Sequence, residues 1–464
     1  MGALPSSFVR AKSWNLQADP LFKESKRDRI VPALREVAPR CSRPSRAART
    51  GSTGCTRATT VPASPRKRSE RAVANDLAIR DAAIASIVRS GVDAVSLREV
   101  GKAAGLTHGA AYARYEDVNE LLVDLWQSRL ASRATNLLEL SARAVEQPNQ
   151  ETIASLVVLA RDCKPDDAAM VEVLMVSRRI PIVQEEVEPF VKKYLRVDPD
   201  LSPHAAAMAT RVFALFGVMM VNVFEESHFG HDPSYLDAVE RVLLTALGVD
   251  PTGVSPAEPF EDNNHPRFVA TDDLRAQLAY STYLAVGKSG YNGATISRIA
   301  RRVECSPGAI YKMYKSKEDL VLDAFRRIVA MRWIKDADFA RILDAESITR
   351  LLSNEVSPEN SLRRNFTLET VIAAAHNAKL QPTVASELKD PGGVVSRLDV
   401  PDPQRKVALG HITQCIASAS KAVRWLAAIT DEMSSLDFNQ FAEPLRLALK
   451  HEWRRSGGGS DIND

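Results

Sequence analysis

Tyr311, Lys312, Tyr314, Lys315 and Lys317 crowd hydroxyls and positive charge together just after Ser306, Pro307 and Gly308. That chemistry suits phosphate oxygens and base edges in a DNA major groove. Reaction chemistry has little to stand on. The five cysteines, Cys41, Cys55, Cys163, Cys305 and Cys415, show no CxxC or other metal spacing, which fits a reducing cytosol better than a disulfide framework. Neither GxSxG, HExxH nor a dinucleotide fingerprint occurs. Gly287, Lys288 and Ser289 look like the end of a P-loop, but Thr282 stands where its first glycine belongs, within a helical pattern. His108 and His411 have no acidic partner nearby in sequence. The expectation is no enzyme, no metal and no cofactor.

The elements that position this cluster are short helices with their start signals in place. Thr295 is an N-cap for a helix with Ile296, Ile299, Ala300 and Val303 on one face, broken at Glu304 and Cys305. Ser306 is the next N-cap, with Pro307 at the first helical position, where no amide donor is needed. Ser316 with Asp319 then opens a third helix. At an offset of 199 residues the pattern recurs: Gly109, Ala110, Tyr112, Tyr115, Leu121 and Asp124 meet Gly308, Ala309, Tyr311, Tyr314, Leu320 and Asp323, without a gap from Gly91 to Trp126. In this earlier copy Ile79, Ala83 and Ile87 form the buried stripe of the first helix, Gly91 ends it, Ser96 with Glu99 forms a capping box and Thr107 caps the recognition helix. An offset this long marks a duplicated domain rather than a solenoid repeat.

Both copies resemble the N-terminal DNA-binding domain of the TetR/AcrR family of bacterial transcriptional regulators. The second carries its S-P-G-x-x-Y-x-x-F/Y-x-x-K-x-x-L pattern at Ser306, Pro307, Gly308, Tyr311, Tyr314, Lys317 and Leu320, with Glu304 in place of the usual turn glycine. The first keeps Gly105, Thr107, Gly109, Tyr112, Tyr115 and Leu121 but has Val118 where the family places a phosphate-contacting lysine. The resemblance implies an all-α fold of two tandem TetR-like units, each a three-helix helix-turn-helix domain plus a helical ligand-binding and dimerisation domain. It also implies a cytoplasmic, ligand-responsive repressor of double-stranded DNA with a small-molecule effector, acting as an intramolecular pseudo-dimer, with a further homodimer of whole chains left open. DNA contacts are expected from Arg98, Thr107, His108, Gly109, Tyr112, Arg114 and Tyr115 in the first unit, and from Ser297, Ser306, Pro307, Gly308, Tyr311, Lys312, Tyr314 and Lys317 in the second. The alternative is a small-molecule-binding or protein-interaction module in which one or both headpieces have lost DNA binding.

The net charge of +3 over 464 residues hides an asymmetry. Residues 68–136 are balanced, residues 267–335 carry +7 and residues 1–69 carry +11. Phosphate attraction should therefore favour the second headpiece. In order, the chain reads as a disordered basic tail (1–72), first headpiece (73–126), first helical regulatory domain (127–250), Pro/Gly/Asn-rich linker (251–266), second headpiece (267–325), second regulatory domain (326–453) and flexible tail (454–464). Arg66, Lys67 and Arg68 offer a minor-groove arm or a plain solvated tail. Residues 205–224 with 235–247, and 404–428 with 438–453, resemble the family's paired dimer-interface helices. The first is apolar, but Arg211 and Asn222 interrupt it, which fits a buried interface better than a membrane span. Residues 326–349 and 366–378 read as further helices. Met170, Met175, Met208 and Met219 line an adaptable effector pocket or are plain core.

Overall fold

The computed structural model describes residues 70–195, 202–255, 273–330, 345–390, 393–397 and 400–456. These residues are helical, with no strand among them. The basic tail with Arg66, Lys67 and Arg68, most of the linker and the last residues lie outside the described set.

Glu70–Ser90 (α1), Leu97–Ala103 (α2) and His108–Tyr112 (α3) form the first headpiece. Helix α1 thus begins inside the segment expected to be tail. Ile79, Ala83 and Ile87 are fully buried on its inner face. Ser96 accepts the Glu99 amide hydrogen at 3.2 Å and so caps α2. Val118–Leu125 (α4) continues through a π segment, Trp126–Leu130, into Ala131–Glu146 (α5). Further helices follow as Gln150–Arg161 (α6), Pro165–Val176 (α7), Pro181–Leu195 (α8), Pro203–His228 (α9) and Pro233–Leu247 (α10). Prolines open α7 to α10, where the missing amide costs nothing.

The second half repeats this order. Leu274–Gly293 (α11) breaks at Gly290, and Ile296–Arg302 (α12), Pro307–Met313 (α13) and Lys317–Ala330 (α14) complete the headpiece. Ala345–Val356 (α15), Ser361–Ala375 (α16), Gln381–Lys389 (α17), Val394–Arg397 (α18), Pro403–Ile429 (α19) and Asn439–Arg455 (α20) follow. Helix α16 starts earlier and ends earlier than residues 366–378, and of the expected run over 326–349 the described residues are 326–330, in α14, and 345–349, in α15. Residues 251–255, expected as linker, are held to α20: Asn439 and Gln440 donate to the Ser255 and Val254 carbonyls, the latter at 3.3 Å.

The two halves pack along their long C-terminal helices, α9 on α19 and α10 on α20. A Cβ at Gly217 would come within 2.9 Å of the Ala422 side chain, so glycine there permits the close crossing of α9 and α19. Phe224 meets Trp425 edge-on at 5.5 Å, the Tyr235 hydroxyl bonds Ser418 Oγ at 2.8 Å, and Arg241 pairs with Glu452 at 2.6 Å. Lys421 and Glu225 form a buried pair across the same seam. Residues 204–228 are long and apolar enough to cross a membrane, but this apolar stretch is 83% buried against the rest of the protein.

Candidate nucleic-acid interface

Each headpiece is braced by the same bond at the same place. The Tyr115 hydroxyl donates to Asp124 at 2.7 Å and the Tyr314 hydroxyl to Asp323 at 2.5 Å, and both tyrosines are buried. Burial and the acceptor carboxylate push both phenols up. These tyrosines, expected to touch DNA, are instead internal struts tying the end of the recognition helix to the next one. The outward tyrosines are Tyr112, 48% exposed, and Tyr311, 57% exposed. The outward tyrosine sits on the helix and the inward one three residues later, past the helix end.

Arg114 is also drawn inward. It pairs with Asp76 on α1 and donates to the Ala110 carbonyl at 3.2 Å, so it locks α3 to α1 instead of reaching a base. Lys317 donates to the Tyr291 carbonyl at 2.5 Å and lies 3.9 Å over that ring, with burial pushing its pKa down. In this state it caps the end of α11 rather than presenting a charge to a phosphate. Val118, at the same place in the first copy, packs against the core.

What does face outward is a smaller set. Arg98 is exposed on α2, as is Ser297 at the α12 position matching it. Thr107 stands at the N-cap of α3 but its hydroxyl makes no capping bond there, contrary to the expected cap. Ser306 does cap α13, accepting the Ala309 amide at 3.2 Å. Pro307 and Lys312 are exposed, with Arg301 and Lys315 beside them. No atom lies within 4 Å of where a Cβ at Gly109 would stand, and only Ser306 Oγ, at 3.7 Å, approaches that of Gly308. The fold itself therefore needs neither glycine, and both leave the backbone open to an outside surface. The His108 side chain lies outside the described set.

Sequence reasoning missed the junction beneath the headpieces. In the first half the Val92 amide, just after Gly91 (φ 85°), donates to Glu172 at 2.6 Å. In the second the Tyr291 amide, just after Gly290 (φ 72°), bonds Glu369. Each carboxylate is then met by a side chain from the opposite half: Glu172 by His376 at 2.9 Å, Glu369 by Arg179 at 2.8 Å. Burial pushes the Glu369 carboxyl up despite Arg179. Arg179 also reaches Asp93 at 2.6 Å, and Asp93 accepts from Asn292, its counterpart 199 residues on, at 3.2 Å. The headpieces touch each other there. Nothing in spacing announces these pairs, although the two positive-φ glycines mark the turns they hold.

The four methionines divide by burial. Met170, Met175 and Met219 are core and Met208 packs against it. A narrow cleft with about 10 Å³ of free space lies between the halves, lined by residues that include Phe229, His231, Tyr235, Leu388 and Lys389, with no methionine among its lining; that is room for about one water.

The family model described as bacterial regulatory proteins, tetR family, matches residues 79–125 and again 286–324. No curated protein matches the chain.

Proposed function

We propose, from the premise that the chain belongs to the tetR family of regulatory proteins and carries two of its DNA-binding units in tandem, that one polypeptide presents both headpieces to one operator as a pseudo-dimer. The observation that carries this is the seam itself. Helices α9 and α10 pack on α19 and α20 as two subunits of a dimer would, and Asp93 touches Asn292 between the headpieces. A family dimer reads two half-sites about one DNA turn apart, roughly 34–36 Å. Here the two reading surfaces differ: Arg98 in the first faces outward where the second has Ser297, and Lys312 in the second matches Ala113 in the first.

The reading extends to a cytoplasmic repressor that responds to a small-molecule effector bound within its helical body. A ligand there shifts the headpieces only if it binds the two arrangements unequally. Glu172 and Glu369 give that shift a route, since each holds a headpiece turn and a residue of the opposite half. Selection of bound sequences from random duplexes with the purified chain tests the proposal. An enriched site with two unlike halves is the expected result; no enriched sequence at any salt overturns it.

A further inference from the structure

Glu172, His228 and His376 converge at the foot of the first headpiece, and their candidate ligand atoms, one from each, all lie within 4.8 Å of one another. They come from three elements of two halves: Glu172 from α7, His228 from the last turn of α9 and His376 from the residue after α16. Two histidines and one carboxylate are a donor set for a first-row divalent ion, with zinc the usual occupant and a water completing the tetrahedron.

Two of these side chains have an ordinary explanation and the third does not. Glu172 and His376 bond each other at 2.9 Å. His228 Nε2 is buried without a hydrogen-bond partner among the described residues. Such an orphan is costly to bury, and it stands beside the pair, its ring 4.9 Å from that of His376. The carboxylate is already aimed: the Val92 amide fixes its Oε1 at 2.6 Å, the kind of outer-shell bond that orients a metal ligand. Gly91 keeps the approach open, since a Cβ there would sit 2.9 Å from the His376 ring.

We propose that Glu172, His228 and His376 form a binding site for a divalent transition metal, zinc by preference, that clamps the two halves under the first headpiece. Ligand atoms at about 2.0–2.1 Å from a tetrahedral ion stand about 3.4 Å apart, so the ion draws His228 inward by roughly 1–1.5 Å and inserts between His376 and Glu172. The matching junction of the second half offers no such set. There Glu369 is met by Arg179, a guanidinium that stays protonated and has no lone pair to give. The site therefore acts on one headpiece alone.

The test needs no DNA, so it stands or falls apart from the regulator reading. Chelator-stripped, untagged full-length chain is titrated with Co²⁺ and followed by visible ligand-field absorption, with Zn²⁺ then added to displace it. Expected are about one equivalent bound per chain, a tetrahedral spectrum without a thiolate charge-transfer band, and displacement by Zn²⁺. His228→Gln should weaken binding by at least ~10–100-fold, while His231→Gln, three residues on and outside the cluster, should leave it unchanged. Because His228 Nε2 has no hydrogen bond to lose among the described residues, His228→Gln should also keep the unfolding midpoint of the metal-free protein. Absence of the tetrahedral spectrum, or equal affinity in wild type and His228→Gln, overturns the site.

Discussion

The two headpieces share a frame and differ in what they show to the outside. Tyr115 with Asp124 and Tyr314 with Asp323 are the same strut twice, as are the glycine turns held by Glu172 and Glu369. The outward positions have drifted: Arg98 matches Ser297 across the repeat, and Ala113 matches Lys312. The turn between α2 and α3 has drifted too. Gly105 has φ 68° and its counterpart Glu304 holds φ 53°, a left-handed conformation that costs a side-chain-bearing residue about 1–2 kcal/mol. Interior pairs are kept because breaking one leaves a buried group unpaired, whereas exposed positions are free to specialise.

The halves differ more deeply in their cores, and the largest expected effect lies there. Leu156 on α6 is fully buried, while Glu355 on α15 pairs with Arg424 at 2.6 Å. Burial pushes the Glu355 carboxyl up, yet Arg424 and Arg363 outweigh this and bring it to about 2. Glu355→Ala strands Arg424 and should cost about 3–5 kcal/mol, read as a shifted denaturant midpoint. Leu156→Ala in the first half should cost a comparable ~2–5 kcal/mol by leaving a cavity, but Glu355→Leu paired with Arg424→Leu should recover most of the loss, which no partner change at Leu156 can do.

Acid should expose a further difference. His231, near the seam, has its pKa lowered from 6.5 to about 4 by burial, then by Lys421, with Lys389 adding to it against a backbone bond at Asn222. A histidine neutral in the fold takes up a proton more readily when unfolded. Its contribution is therefore full above pH 6.5 and lost as pH falls toward 4, on the order of 3 kcal/mol. Urea midpoints of wild type and His231→Gln should converge as pH drops through that window; parallel curves would remove His231 as the cause.

On DNA, Arg98→Ala should cost about 1–3 kcal/mol and relax the sequence of one half-site only. Lys312→Ala should weaken all sequences alike and reduce the salt slope by about one. Smallest is the turn: Glu304→Gly should stabilise the second headpiece by roughly 0.5–1 kcal/mol, and Gly105→Ala should destabilise the first. Thermal midpoints moving the other way would contradict the strain assigned to Glu304.

Much of this frame was legible in the sequence because it is local. The caps at Ser96, Thr295, Ser306 and Ser316 and the prolines opening the long helices are set by neighbours a few residues away, and the 199-residue repeat made each copy a check on the other. Side-chain roles on the recognition helices were less legible. Arg114 has the chemistry of a guanine reader, but Asp76, 38 residues earlier, claims it. Tyr112 and Tyr115 look alike in sequence, as do Tyr311 and Tyr314, yet the first of each pair faces out from the helix while the second lies just past the helix end, where it is buried. The junction was not legible at all: Glu172 and His376 are 204 residues apart and meet only because the halves fold onto each other.

The central claim is that a single chain reads DNA with two unlike headpieces. Native mass measurement of the chain bound to its selected duplex tests it most directly. The account predicts one chain on a site whose halves differ; two chains on a perfect palindrome would contradict it and assign the reading to one headpiece from each copy.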